Sequence, residues 1–327
     1  MKSRTRWGII GAGGIARKMA TALNSISGEA ELLAIGSRTQ EKADTFGEQF
    51  GIPRRYACYE ALAADADIDI VYVATPHNYH KDTSLLCLEH GKPVLCEKPI
   101  AVNAREAEEL IRAAREKRLF LMEAMWTRFL PIMGRFREAL GEGVIGEVRA
   151  IYADFGFRGG WNPEGRWLNP NLAGGALLDV GCYPISFAHW ILGAPSRIVS
   201  LAHIGETGVD EQNAVVLGYD HGQLAIVPSA VRTTMIGEAH VMGTEGAIRL
   251  HRHWWCGSRM TIVTPAGEET IEAPYEFNGF ECQARAAMRC LREGRLESET
   301  MPLDESLAIM RTMDEIRKQW GLKYPFE

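Results

Sequence analysis

A short apolar strand that runs directly into a glycine-rich turn is the feature that most constrains the fold of this chain. Residues 7–10 form the apolar run, and residues 11–16 read GAGGIA, which fits the pattern G-x-G-x-x-[GA]. The first glycine permits a tight turn, the second lets a pyrophosphate approach the backbone, and the small sixth residue lets the next helix lie close to the strand. Free N–H groups at that helix start attract phosphate. We therefore predict a dinucleotide site at Gly11, Gly13, Gly14, Ile15 and Ala16.

The first 123 residues alternate apolar runs with amphipathic stretches, which is typical of βαβ units around a parallel sheet. The helix predicted at 103–117 has Asn103 as its cap and Glu106 three residues later. The apolar runs lack polar alternation, as expected of strands that are covered on both faces. They are residues 7–10, 31–36, 68–74, 93–96 and 119–122. The pattern predicts a dinucleotide-binding Rossmann domain, a doubly wound parallel sheet, over residues 1–123.

The pattern changes after Glu123, where short turns join strand-like runs that should pair antiparallel. A helix over 126–140 precedes these runs, a second begins at the glycines 174–175, and a third closes the chain at 304–319. The runs are residues 148–155, 198–203, 214–219, 223–229, 238–242, 260–263 and 269–273. The fold class predicted for the chain is thus α/β, with a second, α+β domain over 124–327 that carries an open, mostly antiparallel sheet. Helices can cover one face of that sheet, and we expect another subunit to cover the other.

The end of the second strand predicts which dinucleotide binds. NAD enzymes place an acidic residue there for the ribose hydroxyls, whereas this chain has Ser37 and Arg38. A hydroxyl and a guanidinium can hold a 2′-phosphate, which a carboxylate would repel. We predict NADP, with NAD as the open alternative and a solvated strand exit as the simplest other explanation of Ser37 and Arg38.

Two further segments follow strands at the edge where open α/β sheets hold their ligands. The first contains Thr75, Pro76, His77 and His80, and the second contains Glu97 and Lys98. Lys98 precedes a proline, which restricts its backbone, and we expect it to face the nicotinamide. Pairing with Glu97 is the structural alternative for this lysine.

An acid and a phenol lie four residues apart in the helix that follows the glycines 174–175. If that helix is regular, Asp179 and Tyr183 share one face. Hydride transfer from a carbinol needs a group that takes the hydroxyl proton. A phenol titrates near 10, and lowering its pKa by ~2–3 units takes ~3–4 kcal/mol, which one ammonium ~4 Å away can supply. We predict Lys98, Tyr183 and Asp179 as the catalytic residues, with Lys98 itself as the alternative proton-transfer group.

Composition excludes several partners and sites. With 36 Lys+Arg against 42 Asp+Glu the net charge is −6, which argues against nucleic acid and anionic membranes. No apolar stretch has the length of a signal peptide or membrane span. The seven cysteines form no C-x-x-C pair, which predicts reduced thiols in a cytoplasmic protein. We expect no metal, and interpret His251, His253 and Cys256 as structural.

Taken together, the turn at 11–16, the Glu97-Lys98-Pro99 motif and the segment 174–183 resemble the Gfo/Idh/MocA oxidoreductase family, whose members join a Rossmann domain to an open-sheet domain. The resemblance covers almost the whole chain, and residues 122–131 look like the dihydrodiol and NADP-dependent D-xylose dehydrogenase branch. It implies a homodimer or homotetramer and catalysis by Lys98 and Tyr183. Tyr183 in place of histidine, and Ser186 where many members have a second acid, favour that branch over the inositol dehydrogenases.

The resemblance also implies where the small-molecule substrate, a pyranose sugar or related cyclic vicinal diol, would bind. Trp126, Arg128 and Trp167 are expected to bind the cofactor, the first two at the nicotinamide end and Trp167 as a further pocket residue. Aromatic rings can stack on a sugar and arginines can bind its hydroxyls. The expected lining is Trp126, Phe155, Arg158, Trp161, Arg166 and Trp167. The competing hypothesis is a sensor that binds NADP and a sugar without chemistry, against which the intact Lys98, Asp179 and Tyr183 argue.

Overall fold

The structure is a computed structural model that describes residues 4–327. Its backbone contacts divide the chain into two compact units. The first runs to Phe129 and includes Glu276–Ser306, and the second comprises Leu130–Tyr275 and Leu307–Glu327. Residues 276–306 were predicted to belong to the second domain, whereas their contacts place them in the first unit. The boundary after Glu123 stays a prediction of where a domain ends.

The helices and strands alternate first and then give way to consecutive strands, as the sequence pattern predicts. The strands are β1 Thr5–Ile10, β2 Ala30–Gly36, β3 Arg54–Tyr56, β4 Ile70–Val73, β5 Val94–Glu97, β6 Leu121–Ala124, β7 Val148–Ala153, β8 Phe155–Gly156, β9 Arg197–Ile204, β10 Asp210–Gly218, β11 Leu224–Ile226, β12 Ser229–Ala230, β13 Ala239–Gly243, β14 Ala247–Leu250, β15 Arg259–Thr264 and β16 Gly267–Glu272. The α-helices are α1 Gly14–Ser25, α2 Gln40–Phe50, α3 Tyr59–Ala63, α4 His80–Glu89, α5 Ala104–Lys117, α6 Pro131–Gly141, α7 Cys182–Leu192, α8 Phe280–Arg292 and α9 Leu303–Trp320.

The first unit holds a six-stranded sheet in the order β3-β2-β1-β4-β5-β6. Every pairing within it is parallel. This is the strand order of a doubly wound dinucleotide-binding fold, and it confirms the predicted class. Strands β4, β5 and β6 are buried at every position, in agreement with their continuous apolar runs.

Helix α5 illustrates how the sequence dictates an element. The Asn103 side chain accepts a hydrogen bond from the Glu106 amide (2.9 Å), which caps the first turn. Ala107, Leu110 and Ile111 lie on the buried face with Ala114, as their spacing predicts. Arg115 and Lys117 lie in the last turn, where positive charge complements the helix dipole.

The helix predicted from residue 126 begins later than expected. Trp126–Phe129 forms a single 3₁₀ turn, Leu130 is extended, and α6 begins at Pro131. The reason is local: proline disfavours the helical conformation for the residue before it and fits the first helical position, where no N–H is needed.

The second unit is built on a ten-stranded sheet in the order β16-β15-β14-β13-β7-β11-β10-β12-β8, with β9 paired to β10. Two pairings, β11 with β7 and β12 with β8, are parallel, and the others are antiparallel. The prediction of an open, mostly antiparallel sheet is therefore confirmed. Helices α6 and α7 contact strands of this sheet.

One face of the second sheet exposes a row of apolar side chains. Val199 and Leu201 on β9 are 69% and 79% exposed. Val199 lies opposite Val216, which lies opposite Ile226, so the row crosses three strands. We call the exposed side chains of Val199, Leu201, Val216, Leu224 and Ile226 the apolar sheet face. Over residues 4–327, no helix combines the length and apolar character that a membrane span requires.

Candidate active site

The glycine turn has the geometry that a bound pyrophosphate requires. Gly11 has φ +102°, and a Cβ there would lie 2.5 Å from the Ala74 carbonyl oxygen, so no other residue fits. A Cβ at Gly13 or Gly14 would meet nothing within 4 Å, so the backbone at the start of α1 is open to a ligand. No side chain caps this helix and its first turn contains no acidic residue. The residues present therefore fit a dinucleotide phosphate, with Ala16 buried behind them.

Ser37 and Arg38 directly follow β2, and neither is acidic. The Ser37 amide donates to the Tyr56 carbonyl oxygen (3.0 Å), which fixes the strand end next to β3. Ser37 is buried, whereas Arg38 is exposed. A buried hydroxyl followed by an exposed guanidinium is an arrangement that a 2′-phosphate can use.

The segment after β4 contains one histidine that is held by the protein itself. His80 is buried, with Nδ1 2.7 Å from the Pro99 carbonyl oxygen and Nε2 2.9 Å from that of Thr75. The ring thereby connects the segments that follow β4 and β5. Thr75 Oγ1 is buried without a hydrogen-bond partner among the residues described. Of this segment, Thr75 offers the polar atom best suited to a ligand, and His77 begins a 3₁₀ turn beside it.

Lys98 lies at the end of β5 among buried acidic side chains. It is 8% exposed, and its amide donates to Glu97 Oε2 (3.3 Å) while the Tyr72 hydroxyl donates to Glu97 Oε1. Glu123, on the neighbouring strand β6, accepts from the Ile100 amide (3.1 Å). Burial raises the pKa of Glu123, and the charges of Arg128 and Lys98 oppose that rise. The lysine is thus held in a buried, charged environment.

Glu123 was not among the predicted site residues. It lies near the end of β6, opposite Cys96 and next to Glu97, a position that the strand register reveals. A carboxylate at the end of a buried strand is costly unless a charge or ligand compensates it. That cost, more than any motif, identifies Glu123.

Trp126 and Arg128 form contacts within the first unit. The Trp126 ring lies 4.7 Å from that of Phe280. Arg128 is buried, pairs with Glu305 (2.7 Å) and donates to the Thr300 carbonyl oxygen (3.3 Å). These contacts anchor the segment after β6 to residues 276–306. The cofactor roles expected of both residues stay predictions.

In the second unit, Asp179 and Tyr183 follow the glycines 174–175, but not in a regular helix. Leu177–Gly181 forms a π turn, and α7 begins only at Cys182. The expectation of a regular α-helix is therefore wrong for this turn, which is wider than an α-helical one. Asp179 is 6% exposed and forms an ion pair with Arg166. Asp179 on the π turn and Tyr183 in the first turn of α7 are thus both buried, and their catalytic roles stay predictions.

An aromatic row leads away from Tyr183. Its ring lies 5.3 Å from that of Phe155, which stacks on Trp255 at 3.5 Å and 11°. Trp255 was missing from the predicted lining, because the run that contains it, with His251, His253 and Cys256, was interpreted as structural. The Arg232 guanidinium lies 5.6 Å from the Trp161 ring, and Trp167 meets Phe157 edge-on.

Two arginines of the second unit, Arg158 and Arg166, were also predicted to line the substrate pocket. Arg158 is exposed, and the Arg166 side chain is half-exposed despite its ion pair. In the part of the chain that the structure describes, no three His, Cys, Asp or Glu side chains are grouped as metal ligands would be. His251 instead contacts the Thr261 hydroxyl (2.8 Å).

Comparison with known families and proteins gives consistent matches. Residues 5–125 match a family model described as "Oxidoreductase family, NAD-binding Rossmann fold", and residues 133–249 match a "GFO/IDH/MocA C-terminal domain". The mouse trans-1,2-dihydrobenzene-1,2-diol dehydrogenase is 38% identical over 331 residues, with 98% of each chain covered. The human protein of that name is 34% identical, again over 98% of each chain.

Solved structures give the same result. A 3-ketoreductase from Actinomadura kijaniata, solved with NADP and TDP-benzene, superposes with a TM-score of 0.87 at 28% identity, covering 97% of this chain and 98% of that one. An aldose-aldose oxidoreductase from Caulobacter crescentus, solved with glycerol, gives 0.88 at 26% identity and 98% of each chain.

Proposed function

The chain belongs to the Gfo/Idh/MocA oxidoreductase family, as its motifs indicate, and on this premise we propose that it is an NADP-dependent dehydrogenase of pyranose sugars or related cyclic vicinal diols. Full-length relatives at 34–38% identity carry dehydrogenase names, and the prediction of an NAD(P)-dependent oxidoreductase is confirmed. The substrate class and the roles of individual residues are the proposal.

The observation that carries the proposal is that an ammonium of the first unit, and a carboxylate and a phenol of the second unit, are all buried. Lys98 directly follows β5, Asp179 lies on the π turn, and Tyr183 lies in the first turn of α7. A protein that only binds its ligand has no use for an ammonium, a phenol and a carboxylate that are all costly to bury.

Each of the three side chains has a distinct proposed role. Tyr183 takes the proton of the substrate hydroxyl, while the bound nicotinamide supplies the hydride acceptor. Lys98 favours the ionised phenol by its positive charge. Asp179, held by Arg166, orients Tyr183 or the substrate. Lys98 as the direct proton acceptor remains the competing assignment.

Cofactor choice rests on the first unit. The open backbone at Gly13 and Gly14 can hold the pyrophosphate, and Ser37 with Arg38 can bind a 2′-phosphate without a repelling carboxylate. The Actinomadura ketoreductase was solved with NADP, which supports the same choice.

The substrate class is inferred from the second unit and from the relatives. The row of Tyr183, Phe155 and Trp255 offers apolar faces on which a ring can stack. Arg158 and Arg166 can donate to hydroxyl groups. The relatives are named for a trans-dihydrodiol and for aldoses, and we propose D-xylose-type sugars or trans-dihydrodiols.

The test is an activity screen on the full chain with NADP and NAD in both directions. Aldoses, including D-xylose, and cyclic trans-diols are offered, and absorbance of the reduced nicotinamide is followed. The proposal predicts turnover with NADP on at least one ring substrate. Tight NADP binding without turnover on any compound would contradict it and favour the sensor hypothesis.

We propose further that the enzyme is a homodimer or homotetramer and acts in the cytoplasm. The apolar sheet face crosses three paired strands, and such a surface in a protein of this class is normally covered by another copy. The seven cysteines are scattered along the chain and form no C-x-x-C pair, which suits a reducing compartment.

A further inference from the structure

A carboxylate outside the proposed catalytic set lies directly against the π turn. Asp210, the first residue of β10, is completely buried. Its Oδ2 accepts hydrogen bonds from the Leu177 amide (2.8 Å) and the Asn213 side chain (2.9 Å). Leu177 is the first residue of the π turn, so Asp210 holds the start of the segment that carries Asp179 and Tyr183.

The contact continues as a chain of buried polar groups under the turn. Asn213 accepts a hydrogen bond from the Ser229 hydroxyl (3.1 Å), and both side chains are buried. Ser229 begins β12, which contacts the π turn. Asp210, Asn213 and Ser229, here called the buried relay, therefore support the turn at its first residue and along its length.

Two glycines let the turn approach the relay this closely. Gly175 has φ +119°, and a Cβ there would collide with Asp210 Oδ1. A Cβ at Gly181 would lie 2.7 Å from the Ser229 hydroxyl. Since neither position has room for a side chain, the relay and the turn are fitted to each other at both ends.

We propose that Asp210 is a positioning residue for catalysis, which holds the π turn through the buried relay so that Asp179 and Tyr183 meet the substrate correctly. This inference rests on the proposed dehydrogenase function and extends it to residues that do not touch substrate or cofactor. Placement errors of about 1 Å can cost ~10²-fold in rate, so a side chain that fixes this turn affects chemistry without taking part in it.

The ionised form of Asp210 is the stronger acceptor for the two N–H donors. Burial raises the pKa of Asp210 from 3.8 to about 7, and the hydrogen bonds with Leu177 and Asn213 oppose that rise. The other charged or titratable groups that act on it are Arg317 of α9 and Tyr324 near the end of the chain. Tyr324 also donates to the Gly174 carbonyl oxygen (2.7 Å), which fixes the chain just before the turn begins.

The test compares wild type with Asp210→Asn, which keeps the shape but removes the charge. We expect kcat to fall about 10- to 100-fold, with KM and the NADP dissociation constant within about threefold. We also expect the kcat of the wild type to fall below about pH 7 as Asp210 becomes protonated. The kcat of the variant should not show this pH dependence. An unchanged kcat, or an unchanged acid limb, would overturn the proposal.

A matched control is Thr312→Val, which removes the buried contact of Thr312 with His189 (2.9 Å) further along α7. It should lower the melting temperature while the kcat profile stays that of wild type. If Asp210→Asn only lowers the melting temperature, as the control does, its role is merely structural and the inference fails. If wild type itself shows no turnover, the proposed function fails instead.

Discussion

In the proposed function, single side chains at strand ends decide which dinucleotide binds. Ser37 is buried, and its amide donates a hydrogen bond to the Tyr56 carbonyl oxygen, so its backbone has a fixed position at the end of β2. The NADP prediction needed no structure, because the sequence alone shows that no carboxylate stands at the end of the second strand. The buried Glu123 behind Lys98 needed the strand register to be recognised.

Ser37→Asp should exchange cofactor preference. A carboxylate at this position repels a 2′-phosphate but can accept hydrogen bonds from ribose hydroxyls, so the Kd for NADP should rise at least tenfold while that for NAD changes little. Fluorescence titration of both cofactors measures this. Ser37→Ala is the control, and it should weaken NADP only a few-fold. Equal effects of Ser37→Asp on both cofactors would mean that this strand end does not bind the 2′-phosphate.

Asp210 should also affect stability in a pH-dependent way. Its folded pKa, about 7, lies above the ordinary 3.8, so the native state binds the proton more tightly than the unfolded chain. Its contribution is therefore fully favourable below about pH 4 and is lost as pH rises to 7, by at most about 4 kcal/mol.

Urea unfolding of wild type and Asp210→Asn between pH 4.5 and 8 tests this. The wild-type midpoint, measured relative to that of the variant, should fall as pH rises through this window. A constant difference between the two midpoints would show that Asp210 keeps an ordinary pKa in the folded protein.

At the scale of elements, sequence periodicity predicted the helices and strands that are determined by their own residues. Helix α5 has its cap, its apolar stripe and its C-terminal charges in the sequence. The π turn at Leu177–Gly181 does not have such a signal, because the buried relay that supports it comes from β10 and β12, more than 25 residues later. The strands β3 and β14 were not predicted for a different reason: they have only three and four residues, too few to show an alternation of apolar and polar side chains.

The fit between the π turn and β12 can be tested by a compensating pair of substitutions. Gly181→Ala places a methyl group 2.7 Å from the Ser229 hydroxyl, while its φ of −65° suits alanine. The single variant should therefore lower kcat about tenfold or more, because the turn must shift. Gly181→Ala with Ser229→Ala removes the collision.

The double variant should regain most of the activity lost by Gly181→Ala, beyond the effect of Ser229→Ala alone. Steady-state kcat of the three variants completes a double-mutant cycle. Additive losses would contradict close packing of the turn on β12.

At the scale of the whole molecule, the fold and family predictions were confirmed. Both could be made from the sequence, because the motifs follow one another along the chain in the order of the strands that carry them. The allocation of residues 276–306 to the first unit could not be predicted, since it depends on contacts far apart in sequence. Asn278 donates to the Lys18 carbonyl oxygen (2.9 Å), and Arg285 pairs with Glu29 (2.9 Å). No local pattern in α8 indicates either partner.

The proposed oligomer predicts the effect of a charge on the apolar sheet face. Leu201→Glu should shift the protein to monomer in analytical ultracentrifugation, because an ionised side chain buried in an apolar interface is costly. Leu296→Glu, at an exposed leucine of the other unit, is the control and should keep the wild-type mass. A wild-type chain that sediments as a monomer at all concentrations would contradict the proposal.

The most direct test of the proton-transfer assignment is the single-turnover rate of hydride transfer with a ring substrate. Lys98→Ala and Tyr183→Phe should each slow it at least about 10³-fold, a typical contribution of general acid–base catalysis, with NADP affinity within a few-fold. Tyr219→Phe is the control, because the Tyr219 hydroxyl is also buried but has no hydrogen-bond partner in the described structure, and its rate should equal that of wild type. A Tyr183→Phe rate within tenfold of wild type would contradict the account.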